Sequence, residues 1–160
     1  MESEEGEGSL FWVRVPLERS TQEPVAEDSL QVGGLHCLKL APQNVLIVED
    51  NAINRLVLRQ ILERDGHSVR EARDGVEGVE AASNQKFDAI LMDIQMPDMD
   101  GRQTTQKLRE RNYTRPIIAC TANAISGERE KCLEAGMDDY IAKPINQELL
   151  QEIVDRNVRF

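Results

Sequence analysis

The sequence predicts an α/β domain, a parallel sheet covered by helices on both faces, behind a short acidic segment. Short apolar runs alternate with helix-spaced segments five times between Asn44 and Val158, the signature of βα repeats. The inner runs Val45–Val48, Ala89–Met92 and Pro116–Cys120 are apolar without alternation, as strands buried on both faces must be. Each apolar run also stops at a polar group, which places the candidate chemistry at the carboxyl ends of strands.

Residues 1–17 open with Glu2, Glu4, Glu5 and Glu7 around Gly6 and Gly8. A β-favouring run from Leu10 through Trp12 and Val13 to Val15 follows and stops at Pro16, so one strand is expected there, with nothing to pair with. Residues 18–43, with Pro24, Pro42 and Gly33-Gly34, are expected to be a linker. The domain proper is expected over 44–160. Its first strand, Val45–Val48, precedes a helix in which Ile53, Leu56, Val57, Gln60 and Ile61 share a face, with a stop at Gly66. His67–Ala72 is a shorter, more polar strand, with His67 expected to be exposed at a turn; Val76–Ser83 is a helix with Val76, Val79 and Ala82 on one face. Ala89–Met92 is followed by a helix near 102–111, and Pro116–Cys120 by a helix near 128–135. Tyr140–Ala142 is the last strand, and Leu149, Leu150, Ile153, Val154 and Val158 mark a final amphipathic helix. Met92, Met96 and Met99 are expected to pack in the core and loops, and Cys120 to be buried and inert.

The chain has 19 basic and 29 acidic side chains, a net charge of -10. Half of that excess sits in residues 1–43, which carry 3 basic and 8 acidic groups. Such acidity repels nucleic acid and anionic lipid, which argues against both as partners. No apolar run approaches the roughly 20 residues of a bilayer span, and the acidic first residues do not resemble a secretory signal. Cys37, Cys120 and Cys132 fit neither a disulfide framework nor a zinc site. A reduced, cytoplasmic setting is expected, without direct membrane contact.

The strand ends carry Glu49 and Asp50, then Asp93, Thr121, and Lys143-Pro144. Three carboxylates at one sheet edge repel one another unless a cation compensates, and a hard divalent ion with oxygen ligands is the usual solution. Mg²⁺, or Mn²⁺, fits, because it retains waters and needs few carboxylates. Lys143 adds a fixed positive charge and Thr121 a hydroxyl, the groups suited to holding a phosphoryl group.

Residues 44–158 resemble the receiver (response-regulator) domain of two-component signalling. The resemblance is carried by Val45-Leu46-Ile47-Val48-Glu49-Asp50-Asn51, by Leu91 through Gly101 (LMDIQMPDMDG), by Ala119-Cys120-Thr121-Ala122 and by Tyr140-Ile141-Ala142-Lys143-Pro144. It implies a flavodoxin-like (βα)5 fold with strand order 2-1-3-4-5. It also implies that Asp93 accepts a phosphoryl group from a phosphohistidine. Asp50 would then hold Mg²⁺ directly and Glu49 through water, with Asp93 and the backbone carbonyl of Gln95 as further ligands. Thr121 and Lys143 would contact the phosphoryl oxygens, Thr121 and Tyr140 would form a switch pair, and Lys143-Pro144 would be cis. The partner implied is a kinase dimerisation domain bearing phosphohistidine or a histidine-phosphotransfer protein, with the domain a monomer or weak dimer. A face including Ala124, Ile125 and Tyr140 is a candidate for partner contact. One departure is Glu49, where Asp is frequent in the family. Residues 4–17 resemble the last glycine box and closing strand of a histidine-kinase ATP-binding domain, which implies that the chain is the C-terminal part of a hybrid histidine kinase. Its own chemistry would then be limited to taking up and losing a phosphoryl group.

Three rivals are weaker. A docking-only receiver would lack an acidic, Lys or Asp position, and none is missing. A haloacid-dehalogenase-type hydrolase wants a second Asp two residues after the nucleophile, where this chain has Gln95. A transcription factor would need a basic module after the last helix.

Overall fold

In a computed structural model the described residues are 2–4, 8–10, 41–122 and 127–158. They belong to two compact units, divided after Cys37. In the first, β1 (Glu2–Glu4) pairs antiparallel with β2 (Gly8–Leu10), with Ser3 opposite Ser9. Of the strand expected over Leu10–Val15 only Leu10 is among the described residues, and it does not lack a partner, because Glu2–Glu4 pairs beside Gly8–Leu10. Residues 11–17 and the linker 18–40 lie outside the described residues.

The second unit is a five-stranded parallel sheet. Its strands are β3 (Asn44–Val48), β4 (Ser68–Ala72), β5 (Ala89–Asp93), β6 (Ile117–Thr121) and β7 (Asp139–Ala142), in the order β4-β3-β5-β6-β7. Counted within this unit the order is 2-1-3-4-5. The helices between and after the strands are α1 (Ala52–Arg64), α2 (Gly75–Asn84), α3 (Gly101–Glu110), α4 (Glu128–Glu134) and α5 (Gln147–Val158).

The unbroken apolar runs follow from this layering. Leu46, Val48, Ile90, Met92, Ile117 and Ala119 face one way, onto Val79 of α2, Leu108 of α3 and Cys132 of α4. Their neighbours Val45, Ile47, Leu91, Ile118 and Cys120 face the other way, onto Leu58 and Leu62 of α1 and Leu150, Ile153 and Val154 of α5. Period-two strands with both faces covered have no polar side to show. β4 is one of the two edge strands and alternates exposed with half-buried positions up to buried Ala72, which accounts for its more polar sequence.

Three details differ from expectation. The face of α1 bearing Ile53, Leu56 and Val57 is not the packed one: these residues are 72%, 41% and 45% exposed, whereas Leu58 and Leu62 are buried. Val76 of α2 is likewise exposed while Val79 is buried. His67 is buried, not exposed, because its Nδ1 accepts the backbone N–H of Gln43 at 3.1 Å and satisfies the chain entering β3. Gly66 ends α1 as expected, at φ +95°. No helix among the described residues is long and apolar enough to cross a membrane.

Candidate functional site

Strand register assembles the polar residues. Val48 stands level with Met92 on the neighbouring strand, so the next residues, Glu49 and Asp93, are level as well. Asp93 is opposite Cys120, one residue before Thr121, and Thr121 is opposite Ala142, one residue before Lys143. Four separate strand ends therefore converge at one carboxyl edge. The loop after β5 closes tightly over it: Gly101 N–H donates to the Ile94 carbonyl at 3.2 Å, and a Cβ at Gly101 would lie 2.1 Å from the Asp93 carbonyl oxygen. Only glycine fits there.

Carboxylate oxygens of Glu49, Asp50 and Asp93 all lie within 4.8 Å of one another. Glu49 and Asp93 are buried and Asp50 is exposed. The Lys143 Nζ reaches both buried carboxylates, at 2.7 Å from Glu49 Oε2 and 2.9 Å from Asp93 Oδ2. The Lys143–Pro144 bond is cis. Asp93 Oδ1 accepts the backbone N–H of Gln95 at 3.2 Å. Thr121 is buried at the end of β6, and its carbonyl accepts the backbone N–H of Lys143 at 2.7 Å. Tyr140 stands opposite Ala119 on β7, half-buried, with the Arg129 guanidinium 5.8 Å from its ring centroid. Of the partner face expected from the sequence, Ala124 and Ile125 lie outside the described residues, as does Asn123.

One ammonium against three carboxylates leaves a net negative pocket. Burial, and secondarily the Glu49 charge, raise the Asp93 carboxyl above the ordinary carboxylate value despite the Lys143 contact. Burial would lower the Lys143 ammonium, but its hydrogen bonds to Glu49 and Asp93 outweigh this and hold it above its usual value. Burial pushes the Cys120 thiol up to about 12, so it is inert beside the site.

This donor set suits a hard divalent cation, since it is all oxygen, closely gathered and undercompensated by protein charge. Glu49 is the least free of the three carboxylates. Besides Lys143 on Oε2, its Oε1 accepts Asn54 Nδ2 at 3.1 Å and the backbone N–H of Asn51 at 3.3 Å. Asn51 also caps α1, accepting the backbone N–H groups of Ile53 at 2.9 Å and Asn54 at 3.2 Å. Arg55 donates to the carbonyl oxygens of Glu49 and Asp50. Asn54 and Arg55 were not singled out by motif. The only sequence signal for them is position, in the first turn and a half of the helix that leaves the carboxylate pair.

Comparison with known proteins points the same way. Residues 45–155 match the response regulator receiver domain family. The chain is 38% identical over 151 residues to the sensor protein EvgS of Escherichia coli K12, a match covering 94% of this chain and 12% of that protein. It spans between 7% and 16% of the length of the curated relatives it matches. Among solved structures, the receiver domain of the sensor histidine kinase PA1611 from Pseudomonas aeruginosa PAO1, with a magnesium ion coordinated in its active-site cleft, is 45% identical with a TM-score of 0.68. That match covers 74% of this chain and 98% of that one. The receiver domain of Saccharomyces cerevisiae Ssk1, crystallised with the histidine phosphotransfer protein Ypd1, is 29% identical with a TM-score of 0.67, covering 72% of this chain and 88% of that one.

Proposed function

Because the chain belongs to the response regulator receiver domain family, we propose that it accepts a phosphoryl group on Asp93 in a phosphorelay, with Mg²⁺ or Mn²⁺ held by Asp50, Asp93 and the Gln95 carbonyl, and by Glu49 through water. The observation that carries this reading is the Lys143 ammonium bridging buried Glu49 and Asp93, 2.7 and 2.9 Å away, with Asp50 alongside.

In the reaction an Asp93 carboxylate oxygen attacks phosphorus, the phosphorus–nitrogen bond of the phosphohistidine breaks, and the imidazole leaves with the electron pair. A bound divalent cation supplies charge neutralisation for the phosphoryl oxygens. Lys143 keeps Asp93 from being surrounded by negative charge alone and stays protonated, because two carboxylates hold it so. The buried Thr121 hydroxyl contacts the phosphoryl group, and added negative charge on Asp93 draws it inward while Tyr140 follows. Only positioning and charge are asked of the protein.

The donor and acceptor are histidine-bearing helical proteins, a kinase dimerisation domain or a phosphotransfer protein. The support is the exposed apolar set Ile53, Leu56 and Val57 on α1, the helix that starts two residues after Asp50. Monomeric, this patch is wet; covered by a partner helix, it would bring the histidine to Asp93. Residues 1–17 are the closing edge of a kinase ATP-binding domain, 18–43 a linker, and the parent a hybrid histidine kinase with this part in the cytoplasm. The EvgS match supports this, since at 94% of the chain it reaches well beyond residues 44–160. A phosphorylatable histidine helix encoded upstream of Met1 is the observation that tests it.

For the acceptor itself, the protein is incubated with Mg²⁺ and phosphoramidate and weighed intact. One added phosphoryl group is expected, absent with EDTA and absent in Asp93→Asn. Addition that survives Asp93→Asn refutes the assignment. Ile53→Asp is expected to slow transfer from a phosphohistidine protein far more than labelling by phosphoramidate; equal slowing would refute the α1 docking face.

A further inference from the structure

Helix α1 carries a cation where the helix field disfavours one. Arg55 is the fourth residue after the Asn51 cap, and the first turn of α1 holds no acidic side chain. A positive charge near a helix N-terminus is opposed by the helix dipole. Yet the Arg55 side chain is folded in, only 14% exposed. Its Nη1 donates to the Glu49 carbonyl at 2.7 Å and to the Asp50 carbonyl at 3.2 Å. Its Nε lies 4.0 Å from Glu71 Oε2 on β4, and Arg59 approaches the other oxygen of Glu71 at 3.5 Å. A single guanidinium thus ties the two peptide units that present the carboxylate pair to the neighbouring strand.

We propose that Arg55 is a positioning residue for the divalent-cation site, fixing the Glu49 and Asp50 peptides so that their carboxylates gather on the ion with Asp93. The proposal rests on the reading of those carboxylates as cation ligands given above. Sign separates it from simple electrostatics. A cation beside a cation site repels the ion, so by Coulomb's law alone deleting Arg55 would tighten Mg²⁺ binding. Loss of a residue that orients ligands weakens metal binding, typically 10–100-fold for outer-shell partners. Lysine keeps the charge but not the fork that spans two carbonyls and Glu71, so Arg55→Lys separates geometry from charge.

The test is Mg²⁺ titration calorimetry on the 160-residue chain at fixed ionic strength, for wild type, Arg55→Met, Arg55→Lys and Asp93→Asn, with hydrogen exchange of the Asp50 and Asn51 amides measured in EDTA. Arg55→Met is expected to bind Mg²⁺ about tenfold more weakly and to exchange those amides faster. Arg55→Lys is expected to recover only part of the affinity. Unchanged or tighter binding in Arg55→Met overturns the proposal, and so does wild-type affinity in Arg55→Lys. If Arg55→Met shows no cooperative melt, the lysine variant decides by the same criterion. Failure of wild type to bind Mg²⁺, or wild-type affinity in Asp93→Asn, instead overturns the underlying metal reading.

Discussion

Replacing Asp93 by Asn removes one of three crowded carboxylates and should stabilise the metal-free fold. Asp93 lies within 4.8 Å of both Glu49 and Asp50, and at an effective dielectric of about 20 each such pair costs at least ~3.5 kcal/mol before solvent screening. The opposing term is the Lys143 contact at 2.9 Å, worth roughly 6 kcal/mol on the same scale. Lys143 retains Glu49 at 2.7 Å when Asp93 is gone. The two repulsions and the attraction nearly cancel, so the desolvation of a carboxylate that is 4% exposed decides the sign. The raised Asp93 carboxyl reports the same balance, with burial first among its causes.

A net gain of about 1–2 kcal/mol follows, which for a domain of this size is a rise of roughly 4–8 °C in Tm. The assay is thermal unfolding by circular dichroism in EDTA and in Mg²⁺. At a concentration ten times its Kd, Mg²⁺ stabilises wild type by about 1.4 kcal/mol, and the variant, short of one ligand, should gain less. In EDTA the variant melts higher; in Mg²⁺ the gap narrows. A variant that melts lower in EDTA and gains as much from Mg²⁺ as wild type would refute the picture of a frustrated carboxylate cluster.

Gly101→Ala drives a Cβ to 2.1 Å from the Asp93 carbonyl oxygen, so backbone must move; a loss of about 1–3 kcal/mol in urea unfolding and slower phosphoramidate labelling are expected. Arg109 donates to the carbonyls of Gly136, Tyr113 and Arg115 and to Asp138; Arg109→Met, which removes all four of these contacts, should cost about 2–4 kcal/mol in the same assay. At β7, burial pushes the Asp139 carboxyl up, but hydrogen bonds from Arg156, Asn157 and the Tyr140 N–H outweigh it and hold the value below normal. A depressed carboxylate contributes stability that is present above its unfolded value near 4 and lost as pH falls through the folded value. Arg156→Met should therefore cost at most about 1 kcal/mol at pH 7, the guanidinium being 54% exposed, with the difference from wild type shrinking as pH falls below about 4 in unfolding measurements. A difference independent of pH would refute the pairing.

Strand positions were legible because burial on both faces leaves an unmistakable mark. Val45–Val48 and Ala89–Met92 cannot be exposed anywhere without cost, and their polar successors must then emerge together at the carboxyl edge. His67 was not legible. A histidine after a glycine turn resembles solvent-facing punctuation, and only the incoming Gln43 N–H, 24 residues away in sequence, gives its ring a reason to be buried. The β1–β2 pairing escaped for a related reason: Glu2–Glu4 is a poor strand former by composition, and pairing overrode propensity.

The exposed apolar face of α1 has a different cause, one that bears on function. Periodicity reports that Ile53, Leu56 and Val57 lie together, but not whether protein or water covers them. Leu58 and Leu62, on the buried side, supply enough apolar area to dock the helix, so the exposed set is surplus to the fold. Surplus apolar surface costs solubility, and a chain that keeps it within two turns of three clustered carboxylates has a use for it there. The same stretch holds Asn54 and Arg55, which grip the Glu49–Asp50 loop. One helix end thus orients the acceptor site from its inner side and offers a landing surface on its outer side, so pressure from a docked partner would act directly on the loop that presents Glu49 and Asp50.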